Sequence, residues 1–144
     1  GYLTIRGERI GVQGNGWLDR EWSTSVLNSE YVGWDWFGIQ LHDGRELMAF
    51  QMRNKDAFQA KTNATVVSID GTTKKYFDQE IRFRVLREVA GWPVEWRIDV
   101  ADEWFRVKAA LDDQTMDLSV RYWEGLILVD GSTSGIGYME LTGY

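Results

Sequence analysis

The sequence predicts an all-β fold, either a sandwich or a barrel, and three observations support this. Apolar and charged residues alternate with a period of two, so that one face of residues 92–100 would carry Val94, Trp96, Ile98 and Val100. Turn dipeptides such as Asp43-Gly44 and Asp70-Gly71 recur at short intervals. No segment keeps a helical period for long. Regularly spaced short strands with turns between them are typical of sandwiches and barrels.

The strands can be assigned in chain order, and we expect about eight to ten of them after some merge. They are predicted at residues 2–6, 9–13, 16–24, 34–41, 46–53, 63–69, 80–88, 92–100, 104–110, 115–121, 123–129 and 135–143. One short helical turn is predicted near residues 54–61. Pro93 is expected at a strand start or a sheet edge, because proline cannot donate to a ladder. No linker or charge block divides the chain, so residues 1–144 are expected to form one domain.

Three predicted strands are apolar on both faces. They contain Trp34-Asp35-Trp36-Phe37, Leu47-Met48-Ala49-Phe50-Gln51-Met52 and Leu126-Ile127-Leu128-Val129. A small barrel has one packed interior and a mostly wet exterior, so part of this exterior should be covered. The cover could be a second domain, a second copy of the chain in a homodimer, or a lipid-like ligand.

Composition excludes several classes of function. The net charge of -6 argues against nucleic acid and anionic membrane surfaces as partners. The absence of Cys excludes disulfides and thiol chemistry, and leaves the compartment undetermined. His42 is the single histidine, which argues against a catalytic triad and excludes a multi-His metal site. No apolar run approaches the roughly 20 residues of a transmembrane segment. The chain begins without Met and is expected to be an excised piece of a longer protein.

Aromatic residues interleaved with carboxylates are the strongest functional signal, since the chain holds eight Trp among 144 residues. Large rings desolvate a neighbouring carboxyl group, which raises its pKa and prepares it to donate a proton near neutral pH. The candidate catalytic acids are Asp35, Glu21 and Asp19, with Glu124 and Glu140 as candidate partners. The candidate ligand-binding residues are Trp17, Trp22, Trp34, Trp36, Trp123, Glu124, Tyr122 and Tyr138. The alternative is that the rings are core packing and the carboxylates are structural.

Five segments, taken in order, resemble a known family. They are residues 16–23 (GWLDREWS), 33–37 (GWDWF), 41–48 (LHDGRELM), 122–125 (YWEG) and 137–144 (GYMELTGY). Together they resemble the C-terminal half of the carotenoid 1,2-hydratase (hydroxyneurosporene synthase) and AttH-like family, over nearly the whole chain.

The resemblance implies a single antiparallel lipocalin-like (calycin) β-barrel with little helix and with no metal or organic cofactor. It also implies a hydratase or cyclase acting on an apolar polyene or terpenoid, with a partner barrel in the whole protein. Arg20 departs from the family pattern. Carotenoid hydratases have a tripeptide resembling His-Glu-Trp where this chain has Arg20-Glu21-Trp22. Three functions therefore remain open: a cofactor-free hydratase or cyclase, a carrier of hydrophobic ligands, and a structural barrel with a filled interior.

Overall fold

The structure is a computed structural model that describes residues 1–20, 30–55 and 59–144. Nearly all regular structure in these ranges is strand, and one 3-10 turn, Asp78–Glu80, precedes β7. The strands are β1 (Tyr2–Ile5), β2 (Glu8–Gly11), β3 (Tyr31–Leu41), β4 (Glu46–Asn54), β5 (Gln59–Val67), β6 (Thr73–Phe77), β7 (Ile81–Val89), β8 (Trp92–Val100), β9 (Glu103–Ala109), β10 (Thr115–Asp117), β11 (Arg121–Gly131) and β12 (Gly135–Thr142).

Ten of these strands form one curled antiparallel sheet, in the order β6-β5-β4-β3-β12-β11-β9-β8-β7, with β10 added to β11. The curl is strong enough to bring β5 against β7. Strands β1 and β2 form a separate hairpin whose residues are all exposed. The fold is therefore all-β and consistent with a lipocalin-like barrel, as predicted. The expectation that residues 1–144 form one domain stays a prediction.

The concave face of the sheet holds the hydrophobic core. The alternation predicted for β8 is confirmed, because Val94, Trp96, Ile98 and Val100 are buried there. Phe37 stacks on Phe83 with ring centroids 5.8 Å apart and meets Trp96 edge to face at 5.6 Å. Such ring pairs add to the free energy gained from area burial alone. This aromatic cluster occupies the space between β3, β7 and β8.

Tight turns at predicted and unpredicted positions connect the strands. Asp43-Gly44 joins β3 to β4 and Asp70-Gly71 joins β5 to β6, as the sequence indicates. The β7–β8 turn is Ala90-Gly91, with φ of 51° and 84°. Positive φ at both central residues is the geometry of a type I′ hairpin turn, in which glycine is favoured. This turn was not predicted, because Ala90 stands where the Asx-Gly turn signal requires Asn or Asp.

Three predicted elements differ from the structure, and one strand was not predicted. Residues 16–20 are not a strand, and the rest of the strand predicted at 16–24 lies outside the described residues. The helical turn predicted near residues 54–61 is wrong where the structure describes it, since residue 54 ends β4 and residues 59–61 begin β5. The strand predicted at residues 115–121 is reduced to β10. Strand β6 was not predicted, because this edge strand is mostly exposed and carries two lysines that break the alternation.

Pro93 is the second residue of β8, which confirms its position at a strand start. It is not on a sheet edge, because β8 lies between β7 and β9. The ladder with β7 is irregular next to it, with register shifts between Val85 and Glu88. A break in register is where a strand accommodates a residue that has no amide hydrogen.

Candidate functional site

The convex face of β3, β12 and β11 carries several of the aromatic and acidic side chains that the sequence singles out. The strand register places Trp36 beside Glu140, and Glu140 beside Glu124. One step along the strands, Gly38 lies beside Tyr138, and Tyr138 beside Leu126. Because side chains alternate between the two faces of a strand, both rows project outward from the barrel.

The chain before β3 returns over this outer face. Trp17 meets Trp36 edge to face, with ring centroids 5.7 Å apart and an interplanar angle of 78°. Gly38 makes room for both rings, because a Cβ there would lie 2.6 Å from Trp36 and 2.8 Å from Trp17. The two indoles and the glycine therefore form one packing unit that attaches residues 15–19 to the sheet.

A groove of about 450 Å³ opens between residues 15–19 and the sheet. Its apolar walls come from Trp17, Trp36, Leu126, Ile136 and Tyr138. Leu126 is 48% exposed, Ile136 38% and Tyr138 41%, which is unusual for large apolar side chains that share one surface. Asp19, Glu124 and Glu140 also line the groove, so three carboxylates border an otherwise apolar surface. We call this site the outer groove.

Hydrogen bonds from aromatic side chains orient two of these carboxylates. The Trp34 indole donates from Nε1 to Glu140 Oε1 at 2.7 Å, and the Tyr138 hydroxyl donates to Glu124 Oε2 at 3.4 Å. Partial burial raises the pKa of Tyr138, and the charges of Glu124 and Glu140 raise it further. Tyr138 therefore stays protonated near neutral pH and can act as a hydrogen-bond donor beside the groove. Tyr122 lies next to this site and packs on Trp34, with ring centroids 6.0 Å apart.

Asp35 lies on the opposite face of β3 from Trp34 and Trp36, inside the barrel, and is fully buried. Its carboxylate accepts hydrogen bonds from Gln51 Nε2 at 2.6 Å and from the Tyr144 hydroxyl at 2.8 Å. The Arg53 guanidinium lies 3.2 Å away. Burial raises the pKa of Asp35 against the opposing effects of Arg53, Tyr144 and Gln51.

Arg53 ties this buried carboxylate to the end of the chain. Its guanidinium lies 3.8 Å from the centre of the Tyr144 ring and donates to the backbone carbonyls of Thr142 and Gly143. Tyr144 packs in turn on Trp92, with ring centroids 5.6 Å apart. Each oxygen of Asp35 therefore has a partner within a packed cluster, which is the arrangement of a structural carboxylate.

The structure separates the predicted site residues into three groups. Trp17, Asp19, Trp36, Glu124 and Tyr138 meet in the outer groove, with Trp34 and Tyr122 beside it. Asp35 and Trp123 lie inside the barrel, where Trp123 is fully buried and donates from Nε1 to the carbonyl of Asp112 at 3.0 Å. Glu21 and Trp22 lie outside the described residues.

Several residues of the two sites were not predicted from sequence. Leu126 and Ile136 form a groove wall. The sequence signal for Leu126 was the apolar character of both faces of its strand, and Ile136 had no such signal. Gln51, Arg53 and Tyr144 surround Asp35, and a polar residue at an inward position of β4 could have indicated the first two. The pairing with Tyr144 spans 109 positions in the chain, and no local pattern reports a contact at that separation.

Two negative findings concern the described residues alone. Within the ranges that the structure describes, no cluster of three or more His, Asp or Glu side chains is placed to hold a metal ion. The same residues include no helix that is both long and apolar enough to span a membrane.

Solved structures with this fold include two relevant proteins. A crystal structure of an AttH candidate from Nitrosomonas europaea matches 100% of this chain and 48% of that protein, with a TM-score of 0.91 and 35% sequence identity. Kievitone hydratase from Nectria haematococca matches 99% of this chain and 49% of that protein, with a TM-score of 0.76 and 18% identity. At that identity the second match shows the fold alone. The chain spans about half the length of both proteins. No curated protein matches it.

The curled antiparallel sheet, with an apolar core on its concave face, has the architecture of lipocalin-like β-barrel proteins. Its sequence matches the AttH-like family model over residues 1–144. The chain belongs to the AttH-like family, as the five sequence segments indicated.

Proposed function

We propose that this chain binds an apolar small molecule of the polyene or terpenoid type in the outer groove. The observation that carries the proposal is an open groove of about 450 Å³ with walls of Trp, Tyr, Leu and Ile side chains. Small-molecule sites have volumes of roughly 300–1,000 Å³ and mostly apolar walls with a few placed polar groups. A ligand here would cover side chains that are now exposed to water, and this burial would drive binding.

The groove also offers groups suited to acid–base chemistry, which supports a hydratase or cyclase as the catalytic form of this proposal. Glu124 and Glu140 border the apolar wall, and Tyr138 donates to Glu124. One carboxyl group could protonate an alkene while another orients the attacking water, and neighbouring rings would stabilise the cation. Kievitone hydratase, which shares the fold, is a hydratase by name. Asp35, Glu21 and Asp19 stay predicted catalytic residues, and of these Asp19 borders the groove.

Binding is tested by tryptophan fluorescence during titration with polyenes and terpenoids. Leu126→Glu places a charge in the apolar wall and should weaken binding at least tenfold, since a carboxylate is costly to desolvate. Leu128→Glu is the matched control. Leu128 is on the same strand and face, is similarly exposed, and does not line the groove. Equal affinity of both variants would contradict binding in the outer groove.

Catalysis is tested by mass spectrometry of the same mixtures. A product heavier by one water would identify a hydratase, and an isomeric product a cyclase. Glu124→Gln, Glu140→Gln, Asp19→Asn and Asp35→Asn then locate the acid. If turnover persists in all four variants, these carboxylates are not catalytic. Binding without conversion would favour the carrier, and no binding at all would favour the structural barrel, whose interior is filled by rings such as Phe37 and Trp96. A partner barrel or a second copy of the chain on the outer face stays a prediction.

A further inference from the structure

Two glutamates face each other across the floor of the outer groove. Glu124 on β11 and Glu140 on β12 are direct cross-strand neighbours, and Trp36 on β3 completes their row. Like charges directly opposite each other on adjacent strands destabilise a sheet. A positive charge bound between the two carboxylates would reduce their mutual repulsion.

Glu124 has no cationic partner among residues 1–20, 30–55 and 59–144. Its side-chain hydrogen bond comes from the neutral hydroxyl of Tyr138, at 3.4 Å. Elsewhere on the convex face, Glu95 has Arg106 and Arg87 at 2.5 Å and 3.4 Å. The groove thus presents a carboxylate that the described chain does not neutralise.

Aromatic rings stand beside this negative charge. Trp36 is in the same row as both glutamates, and Trp17 packs against it from the other wall of the groove. Indole and phenol rings attract a cation placed over their faces, and Trp attracts it most strongly. Carboxylates combined with aromatic walls are the chemistry that recognises an ammonium group attached to an apolar skeleton.

We propose that the outer groove recognises a protonated amine at the end of an apolar chain. The inference rests on the proposed binding function. The hydrocarbon would lie along Leu126, Ile136 and Tyr138, and the ammonium group would lie at the row of Glu124, Glu140 and Trp36. A primary amine with a pKa near that of lysine, about 10.4, carries its charge at neutral pH.

The test compares farnesylamine with farnesol, which share one hydrocarbon skeleton and differ in the end group. Both are titrated at pH 7 by tryptophan fluorescence and by calorimetry. The unmodified chain should bind the amine roughly tenfold more tightly than the alcohol. Glu124→Gln should remove most of this preference, because it should weaken binding of the amine more than binding of farnesol. Asp130→Asn is the matched control, because Asp130 is an exposed carboxylate on the same face of β11 and does not line the groove.

The outcomes separate the two proposals. Equal binding of amine and alcohol by the unmodified chain overturns cation recognition and leaves the proposed binding function in place. No binding of either ligand overturns both. A preference that survives in both Glu124→Gln and Glu140→Gln overturns the assignment to this pair. If a variant does not fold, the preference of the unmodified chain for amine over alcohol is measured at increasing salt concentration. An electrostatic preference must shrink as salt increases, so a constant preference would overturn cation recognition.

Discussion

The two halves of the convex face differ in whether their carboxylates form ion pairs. On β8 the outward carboxylates and the outward arginine are paired: Glu95 binds Arg87 and Arg106 of the neighbouring strands, and Arg97 binds Asp99 at 2.7 Å. On β3, β12 and β11 the outward positions are large apolar side chains with two glutamates among them. In this first half, arginines of the chain supply the positive charges that face these carboxylates. The second half exposes apolar area, and there Glu124 has no cationic partner among the residues that the structure describes.

Removal of the buried carboxylate on the concave face should have the largest effect on stability. Asp35→Ala should reduce the free energy of unfolding by about 3–5 kcal/mol, because it leaves Arg53 and Tyr144 without their buried partner. Urea unfolding followed by circular dichroism measures the loss. Should this variant fail to fold, Asp35→Asn keeps the shape and can still accept the Tyr144 hydrogen bond, so its loss should be smaller. A loss below that of Glu95→Gln would contradict the structural role of Asp35.

The charged half should show an intermediate effect. Glu95→Gln should reduce the free energy of unfolding at pH 7 by about 1–3 kcal/mol, since two arginines lose a charged acceptor. Arg106 and Arg87 lower the pKa of Glu95 below its ordinary value of 4.5. Its stabilising contribution is therefore present above pH 4.5 and is lost as the pH falls through the folded-state pKa. The stability difference between the unmodified chain and the variant should shrink over that window, and a constant difference would contradict the ion pairs.

The groove half should show the smallest effect. Glu124→Gln should change the free energy of unfolding by no more than about 0.5 kcal/mol, because Glu124 is partly exposed and its hydrogen bond from Tyr138 is long, at 3.4 Å. Because the substitution removes one of two negative charges that face each other, the change should be a small gain in stability. Thermal unfolding of Glu124→Gln beside Glu95→Gln measures the contrast. A loss as large as that of Glu95→Gln would mean that the two halves of the face do not differ.

The sequence predicts the fold class well, because the alternation of apolar and polar residues is a local pattern that does not depend on which strands pair. Strand β8 illustrates this, with its four inward apolar residues assigned correctly. Strand β6 was missed, since an exposed edge strand needs no apolar face. The face assignments of the site were harder to predict. The sequence Trp34-Asp35-Trp36 suggests one mixed site, but alternation divides it between an outward groove and an inward cluster.

The pairing of the two glutamates could not be predicted from sequence, for a further physical reason. Glu124 and Glu140 become neighbours through the register of the β11–β12 hairpin, which a shift of one residue would abolish. Trp36 joins them through β12, from a distant part of the chain. Sequence identifies these residue types as candidates, and register decides which of them meet.

Strand β12 lies between β3 and β11, so the sheet is closed at its centre by the strand that comes latest in the chain. Without it, β6-β5-β4-β3 and β10-β11-β9-β8-β7 are two separate blocks with no shared ladder. During synthesis, both blocks must wait for residues 135–142 with the facing edges of β3 and β11 unpaired. Ladders between distant segments form slowly, and open strand edges attract other chains in the meantime. The same placement couples the two blocks, because loss of β12 would leave side-chain packing, such as that of Phe37 on Phe83, to connect them.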